Sequence, residues 1–470
     1  MPTYTTNLNL KKPNGDEYYN VEDFNENADR IDSAISNLEA DVESVMLYVG
    51  YDKDVAGLCA DFENNTFTRI AGSVGKSAGT DFDSWSCFGG RRRCNVADDG
   101  TINAWYGDND FVEDGSNGQV MVYQPKFYYR VEPLKLEAQS TGIGYHLKKA
   151  NYYVSDTQKA GFKLHPAFID KNGSEIDYIM FSAYEGCLYD TSASAYITDD
   201  SQVMNTSEDK LSSIANVKPC SGNTQNLTRP DVETLAQNRG SNWHGETIKF
   251  ASVNQLLCAI EYASFNFKTA IGQGVVNYAP GTGNEASNTG ATSTLGNASG
   301  QATETTHVSS DNVTTIDTTA GKLSVSYRGV ENIWGNIWKF EYGVNIWGDG
   351  TMNGGQPYIC SDYNFAESKN SDNYVGAGFT VANANGYVKY FGYSEDFDYL
   401  FIASEVGGTS SLPVGDYFYV TSNLNAYKIA RLGGVWSHGS FAGGFYWALL
   451  DGVGIRARFI GCRLAYAPTR

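Results

Sequence analysis

The chain has 470 residues and a formal net charge of −20 at pH 7. A chain of this length predicts two or more domains with sizeable cores. The negative charge argues against binding to nucleic acid or to an anionic membrane surface, because both partners require an excess of Lys and Arg. Fifty glycines and 32 tyrosines, with only 11 prolines, indicate a β-rich structure with many tight turns.

The sequence predicts neither a signal peptide nor a membrane-spanning segment. We therefore expect the chain to fold in a cytoplasm. The eight cysteines are scattered, with no CxxC pair and no Cys/His spacing typical of a zinc site. We expect them to be reduced and buried thiols, at Cys59, Cys87, Cys94, Cys187, Cys220, Cys258, Cys360 and Cys462.

The clearest periodicity follows a polar segment at residues 1–20. Apolar residues recur at alternating intervals of four and three, as in the seam of a coiled coil, at Phe24, Ala28, Ile31, Ile35, Leu38, Val42 and Val45. Isoleucine at both core positions favours three strands over two. We therefore predict a trimerisation helix over residues 21–50. The alternative is one amphipathic helix that packs on its own domain.

The helical pattern ends at Gly50, and short apolar runs then alternate with Gly/Asp turns. This pattern predicts a β-rich intermediate region over residues 51–150, followed by one domain over residues 151–470. The strongest strand signal covers residues 120–131, where Pro125 predicts a sheet edge or a bulge.

Two helices are predicted in the second half of the chain. One covers residues 229–238, with Pro230 in its first turn, and a capping box at Ser252–Gln255 opens the other. Residues 279–322 are rich in Gly, Ser, Thr and Asn, which predicts a long surface loop or insertion. The whole pattern favours an α+β fold.

The sequence contains no motif that defines a catalytic site. Its five histidines form no HExxH pair, and neither GxSxG nor a P-loop occurs. Acidic pairs lie in Gly/Asn-rich turns, where Asp is favoured for conformational reasons. The turn at residues 347–350 offers calcium a single carboxylate, so calcium is an open alternative without an assignable site. We therefore expect neither an enzyme nor a cofactor.

Three further segments stand out against this background. The basic run Arg91–Arg93 lacks the supporting positive field that a phosphate site requires, which favours pairing with nearby Asp residues or an intersubunit contact. Residues 328–347 carry many aromatic rings and are predicted to be core, with a sugar-stacking platform as the alternative. In the last forty residues, glycines separate large aromatic and charged residues, which indicates a rigid frame that displays contact residues.

The chain resembles bacteriophage tail-fibre or receptor-binding proteins that a retroelement diversifies, of the major tropism determinant class. The C-terminal frame carries this resemblance, in Gly433-Gly434-x-Trp436-x-x-Gly439-x-x-Ala442-Gly443-x-Phe445-Tyr446 and Ile460-Gly461-x-Arg463-x-Ala465. Arg328–Trp338 is similar to the core motif of that fold, Arg239–Trp243 to its helical region, and Asn7–Pro13 to phage tail and baseplate proteins. The resemblance implies a C-type-lectin-like domain of the formylglycine-generating-enzyme type, without implying catalysis.

The resemblance also implies a variable region at residues 432–468 and a set of receptor-binding positions. They are Val435, Ser437, His438, Phe441, Trp447, Ala448, Leu450, Asp451, Ile455, Arg456, Ala457, Arg458 and Phe459. Such retroelements mutate adenines in AAC-type codons, which cannot yield Lys, Glu, Gln or Met. Residues 432–470 contain none of these four. Tryptophan cannot arise from an AAC codon either, so Trp447 is the least supported of these variable positions.

Together with the heptad seam, the resemblance implies a homotrimeric adhesin at the tip of a phage tail. Residues 1–20 attach it to a tail or baseplate protein, and the variable region binds a protein or glycan on a bacterial surface. The expected location is therefore the virion, after synthesis in the host cytoplasm. A tail-spike depolymerase that cuts host glycan and a purely structural fibre component are the alternatives.

Overall fold

A computed structural model describes residues 3–12, 20–49, 53–197, 202–223, 225–279, 285–352, 354–366 and 371–470. Within the N-terminal helix it describes side chains as far as Leu38. No helix in these ranges combines the length and the apolar character needed to cross a bilayer.

The N-terminal part consists of a two-stranded ribbon and one long helix. Strands β1 (Thr3–Tyr4) and β2 (Lys11–Lys12) pair antiparallel, and helix α1 spans Val21–Val49. The Lys11 ammonium lies 2.7 Å from the Asp23 carboxylate and joins the ribbon to the first turn of the helix. The predicted helix is therefore confirmed, whereas its assembly into a coiled coil stays a prediction.

The rest of the described chain is β-rich, with four short or medium helices. The helices are α2 (Ser86–Gly89), α3 (Arg229–Gln237), α4 (Ile248–Tyr262) and α5 (Phe267–Ala270). The strands are β3 (Val55–Asp61), β4 (Thr66–Ala71), β5 (Arg92–Val96), β6 (Ile102–Trp105), β7 (Gln119–Pro125), β8 (Tyr128–Ala138), β9 (Tyr145–Ser155), β10 (Lys163–Leu164), β11 (Tyr178–Ser182), β12 (Cys187–Asp190), β13 (Ala195–Ile197), β14 (Lys210–Ser212), β15 (Trp243–Gly245), β16 (Gly300–Gln301), β17 (Thr305–Val308), β18 (Thr314–Asp317), β19 (Val325–Tyr327), β20 (Val330–Glu331), β21 (Trp338–Asp349), β22 (Gln356–Cys360), β23 (Tyr374–Gly376), β24 (Gly386–Tyr393), β25 (Ala403–Val406), β26 (Tyr417–Val420), β27 (Asn425–Leu432), β28 (Trp447–Leu449), β29 (Ile460–Gly461) and β30 (Leu464–Tyr466). The β-rich part of the expected α+β class is confirmed, and the lectin-like domain stays a prediction.

Two sheets organise this body. The larger sheet has the order β10-β8-β9-β24-β26-β28-β27-β21-β22-β23, and the second has the order β15-β30-β11-β7-β5-β6. The domain boundary expected at residue 150 is not observed, because this residue lies inside β9 and β9 pairs with both β3 and β24. Pairing between strands distant in sequence leaves no local signal, and this is why the sequence pattern suggested a separate region.

The two predicted helices are present, and one begins earlier than expected. The N-cap of α3 is Thr228, which forms a capping box with Asp231. The N-cap of α4 is Thr247 rather than Ser252, and its hydroxyl accepts a hydrogen bond from the Phe250 N–H. Residues Ile248 to Glu261 of α4 are all buried. A helix buried on every side has weak amphipathic patterning, so its start could not be read from periodicity.

The predicted strand over residues 120–131 is two strands. Pro125 is the last residue of β7 and pairs with Tyr178, and β8 begins three residues later. Because proline has no amide to donate, it ends the ladder on that side.

The Gly/Ser/Thr-rich segment is more ordered than the expected surface loop. Its described part contains β16, the β17–β18 hairpin and a buried Thr292. The buried Glu331 carboxylate accepts hydrogen bonds from the Gly290 N–H at 2.9 Å and the Thr292 N–H at 2.7 Å. Polar contacts to backbone, rather than apolar side chains, hold this segment, and hydropathy does not reveal such contacts.

Arg91 and Arg93 of the basic run pair with other groups of the same chain, and not with the nearby Asp residues that were expected. Arg91 is buried and donates to the Asn254 side chain at 2.8 Å. Arg93 is buried, lies 3.3 Å from Glu113 and donates to the Tyr184 hydroxyl at 3.0 Å. The aromatic segment is core as predicted, since Trp334, Trp338 and Phe340 are all buried, and the sugar-platform alternative is wrong for them.

A buried group of charged residues lies between α4 and β21. Lys339 lies 3.0 Å from Glu185, and Arg463 lies 3.7 Å from Glu246. Glu341 lines the same small cavity as Glu246, and neither of its oxygens has a hydrogen-bond partner. Burial, followed by the charge of Glu246, holds the pKa of Glu341 well above its ordinary value. An unpartnered buried carboxylate is costly, so this side chain is held as the neutral acid.

Glu341→Gln should therefore raise the melting temperature at alkaline pH and leave it nearly unchanged near pH 4.5. Below pH 4.5 Glu341 is protonated in both the folded and the unfolded state. At higher pH the unfolded state loses this proton while the folded state keeps it, so stability falls as pH rises. The glutamine removes that loss. Calorimetry across pH 4.5–9 measures the effect, which we expect to be a few degrees.

Glu331→Gln is the matched control, since Glu331 is equally buried but accepts three hydrogen bonds, from Gly290 and Thr292. It should lower the melting temperature because an amide nitrogen cannot accept them. A lower melting temperature for Glu341→Gln at every pH would contradict the neutral assignment.

Candidate functional site

The C-terminal segment leaves the larger sheet through two glycines in a backbone conformation that disfavours other residues. Gly433 and Gly434 follow β27 and have φ angles of 99° and 85°, a region that strains residues with a Cβ. A Cβ on Gly434 would also lie 2.9 Å from that of Ala442. The Gly433 N–H donates to the Tyr446 carbonyl at 3.0 Å. These contacts fold residues 435–445 into a compact excursion that returns to the sheet at β28.

Three of the predicted receptor-binding residues are buried and belong to the frame. Val435, Trp447 and Ala448 are at most 3% exposed. The Trp447 indole donates to the Phe401 carbonyl at 2.8 Å, and Ala448 pairs with both β26 and β27. A direct contact with a receptor is therefore wrong for these three. Residues on the same strand alternate between two faces, and here both faces of β28 are covered.

The other ten predicted residues reach the surface to different degrees. Phe441, Arg456 and Phe459 are exposed, with 41% of Phe441 and 40% of Phe459 accessible to solvent. The remaining seven are half-buried, at Ser437, His438, Leu450, Asp451, Ile455, Ala457 and Arg458. The candidate surface is defined by these ten residues.

Phe441 is the centre of an aromatic group at this surface. Its ring stacks on Tyr417 with 4.4 Å between centroids, and its edge meets Tyr387 at 5.8 Å. The Tyr387 hydroxyl lies 2.8 Å from the Ser440 hydroxyl, which ties the excursion to β24. Rings locked in this way present a large contact area with little conformational entropy left to lose.

A second aromatic group lies beneath this surface, toward β21. The ring of His438 contacts Tyr446 and Trp338, each with 5.5 Å between centroids. Burial, and then the charge of Arg431, lowers the pKa of His438 to about 4. The imidazole is therefore neutral at physiological pH. Arg431 lies over the Trp338 ring at 5.4 Å and forms an ion pair with Asp451.

Residues 450–459 form a loop whose ends are fixed and whose middle is open. The Ile429 N–H donates to the Asp451 carbonyl at 2.9 Å, and the Trp338 N–H donates to the Phe459 carbonyl at 3.1 Å. Between these bonds, a Cβ on Gly452 or Gly454 would meet nothing within 4 Å. The Arg458 guanidinium lies 3.3 Å from the buried Glu285 carboxylate. Of the two arginines, Arg456 is thus the more available for a partner.

Tyr387 and Tyr417 belong to the surface but lie outside the C-terminal segment in sequence, so the sequence reasoning missed them. A signal was available in the run Tyr417-Phe418-Tyr419. Because side chains alternate along a strand, Phe418 points inward and is fully buried, whereas Tyr417 and Tyr419 point outward.

The structure also locates the thiols and carboxylates that could act in catalysis or bind a metal. Cys220 and Cys462 approach each other to 3.6 Å between sulfur atoms, but both are fully buried, and a thiol nucleophile needs access to its substrate. Within the described ranges, no three His, Cys, Asp or Glu side chains lie together as a metal site would require. The Asp349 carboxylate is occupied by Thr351, whose N–H donates to it at 2.8 Å.

Comparisons with known proteins give little beyond this geometry. No protein-family model matches the chain, and no curated protein matches it. The solved structure titled "Major Tropism Determinant P3c Variant" aligns with 80% of this chain and 71% of its own, at 10% identity and a TM-score of 0.24. A similarity this weak carries no argument about fold or function.

Proposed function

We propose that the chain is a homotrimeric receptor-binding protein of a phage tail and that it binds a bacterial surface through the candidate surface. One observation carries the proposal: exposed Phe441, Arg456 and Phe459 stand on loops whose ends are fixed by backbone hydrogen bonds. Aromatic and arginine side chains dominate binding energy at interfaces. Residues with such side chains on a fixed frame are suited to recognition rather than to turnover of a substrate.

The frame also suits diversification. The backbone bonds that hold residues 435–459 are made by N–H and carbonyl groups, which every residue except proline supplies. Substitution of an exposed side chain therefore leaves these bonds in place. Gly434 and Trp447 are constrained differently, because a Cβ on Gly434 would lie 2.9 Å from that of Ala442 and the Trp447 side chain is fully buried.

The N-terminal helix supports the trimeric assembly. Along its predicted seam, Phe24, Ile31, Ile35 and Leu38 are 62%, 41%, 49% and 63% exposed, and Ala28 is exposed as well. The side chains of Val42 and Val45, the last two predicted seam residues, lie outside the described part. An apolar stripe at heptad spacing is costly in water, and copies of the same helix cover it by knobs-into-holes packing.

In this proposal, recognition is strengthened by the presence of several linked copies of the surface. A single exposed surface of this size binds weakly, but linked copies on one virion gain avidity of about 10²–10⁴-fold when their geometry allows simultaneous contact. The N-terminal ribbon lies at the start of the helix and is the part proposed to attach to the tail or baseplate. The mature location is then the virion.

Phe441→Ala and Arg456→Ala should each weaken adsorption of the phage to its host by about tenfold or more. Both side chains are exposed, so we expect the melting temperature of the purified trimer to change by less than about 2 °C. Adsorption rates to host cells and calorimetry of the same variants measure the two effects.

Trp447→Ala is the contrasting variant, since it removes a fully buried indole and its hydrogen bond to Phe401. It should cost about 3–5 kcal/mol of folding free energy. If Phe441→Ala destabilises the chain as much as Trp447→Ala does, then Phe441 is a core residue and its assignment to the surface fails. Unchanged adsorption by both exposed variants would remove the support for the proposed receptor contact.

Ile35→Lys should convert the trimer into monomers at micromolar concentration, because a charge in the seam is left without water. Ser33→Lys is the matched control, since Ser33 is exposed on the opposite side of α1. Sedimentation equilibrium distinguishes the two species. A monomeric wild-type chain, or a trimer that survives Ile35→Lys, would contradict the assembly through this seam.

A further inference from the structure

An open groove lies on a part of the body that the proposed function does not use. It has a volume of about 650 Å³. Its lining comes from β8, the first residue of β9, Gly161 and Lys163, Gly378, and four residues between Tyr393 and Asp398. This volume lies inside the range of roughly 300–1,000 Å³ that is typical of small-ligand sites. The groove is therefore large enough for a compact oligomeric ligand.

The charged groups that line the groove hold one another in place. Lys163 lies 2.9 Å from the Asp398 carboxylate and donates to the Glu395 carbonyl at 2.8 Å. The Tyr129 hydroxyl donates to the other oxygen of Asp398 at 2.6 Å, and this aspartate is buried. Elsewhere in the lining, Arg130 donates to Glu132 at 2.8 Å. The polar wall is thus organised before any ligand arrives.

The balance of charge in the groove selects the class of ligand. Three carboxylates, of Glu132, Glu395 and Asp398, oppose an anionic ligand, and the cations of Arg130 and Lys163 oppose a cationic one. Neighbouring donors and acceptors instead match hydroxyl groups, each of which can donate to a carboxylate and accept from a cation. A ligand of low net charge with many hydroxyls satisfies the wall.

Tyr145 adds the apolar element that such a ligand needs. It is cross-strand partner to Tyr393 and is 45% exposed at the rim of the groove. A large aromatic ring left in water next to fixed polar groups offers a flat apolar surface. The C–H face of a pyranose ring pairs with such a surface while its hydroxyls face the polar wall.

We infer that this groove binds a neutral oligosaccharide, with Tyr145 stacked under one sugar ring and with Glu132, Glu395 and Lys163 contacting its hydroxyls. The site goes beyond the proposed function, because it lies apart from the candidate surface. Tyr387 and Tyr393 are six residues apart on β24, one beside Phe441 and the other in the groove, which separates the two places by about 20 Å.

Calorimetric titration of the full chain with chitotetraose, cellotetraose and mannotetraose tests this inference. We expect saturable binding of at least one of these probes to the wild type. Tyr145→Ala should then weaken the affinity by about tenfold or more, which is about 1.4 kcal/mol, and Glu395→Gln should weaken it less. Only the backbone carbonyl of Glu395 takes part in a described hydrogen bond, so this exposed variant is expected to fold.

Two control variants decide where a bound sugar lies. Tyr4→Ala removes a tyrosine that is 52% exposed in the N-terminal ribbon, and Phe441→Ala alters the candidate surface. Both should bind the sugar as the wild type does. No saturable binding of any of the three tetrasaccharides would overturn the inference. So would sugar binding that Tyr145→Ala leaves intact and Phe441→Ala abolishes, which would instead place the sugar on the receptor-binding surface.

Discussion

A buried guanidinium holds the C-terminal end of the chain to two segments that lie far from it in sequence. Arg463 is 1% exposed and donates to the carbonyls of Glu331 at 2.8 Å and of Ser182 at 2.9 Å. Its charge is balanced by Glu246 nearby. Because a buried cation without partners is far too costly to tolerate, these carbonyls, and with them β11 and β20, are fixed relative to β30.

Residues 435–459 are held at their C-terminal end by the contacts of Arg463 and at their N-terminal end by β27. With both ends held, residues 435–459 can carry exposed side chains on a backbone that their identity does not determine. The excursion at Phe441 and the loop at Gly452–Gly454 are held in place by different contacts. The first is held by close contacts at Gly434 and by the hydrogen bond from Gly433 to Tyr446, and the second by hydrogen bonds at its two ends.

The sequence was most informative where its signals are local. The heptad spacing predicted α1, Pro230 predicted α3, and the density of aromatic residues predicted that Trp334 and Trp338 are core. Features that depend on distant partners could not be predicted in this way. The shared sheets that remove the boundary at residue 150 belong to this class, as do the ion pair of buried Arg93 with Glu113 and the contact of Tyr417 with Phe441.

The candidate site shows the same limit. The family resemblance placed Val435, Trp447 and Ala448 with the receptor-binding residues, and matched motif positions do not show which side chains are covered by other elements. Here β28 is covered on both faces, and only the packing shows it.

Deep sequencing of the coding region in a population of phages or prophages tests whether an invariant frame displays a varying surface. We predict substitutions concentrated at Ser437, Phe441, Arg456, Phe459 and their exposed neighbours. We predict none at Gly434, Trp447 or Arg463. A uniform C-terminal sequence, or substitutions spread equally over buried and exposed positions, would contradict this prediction.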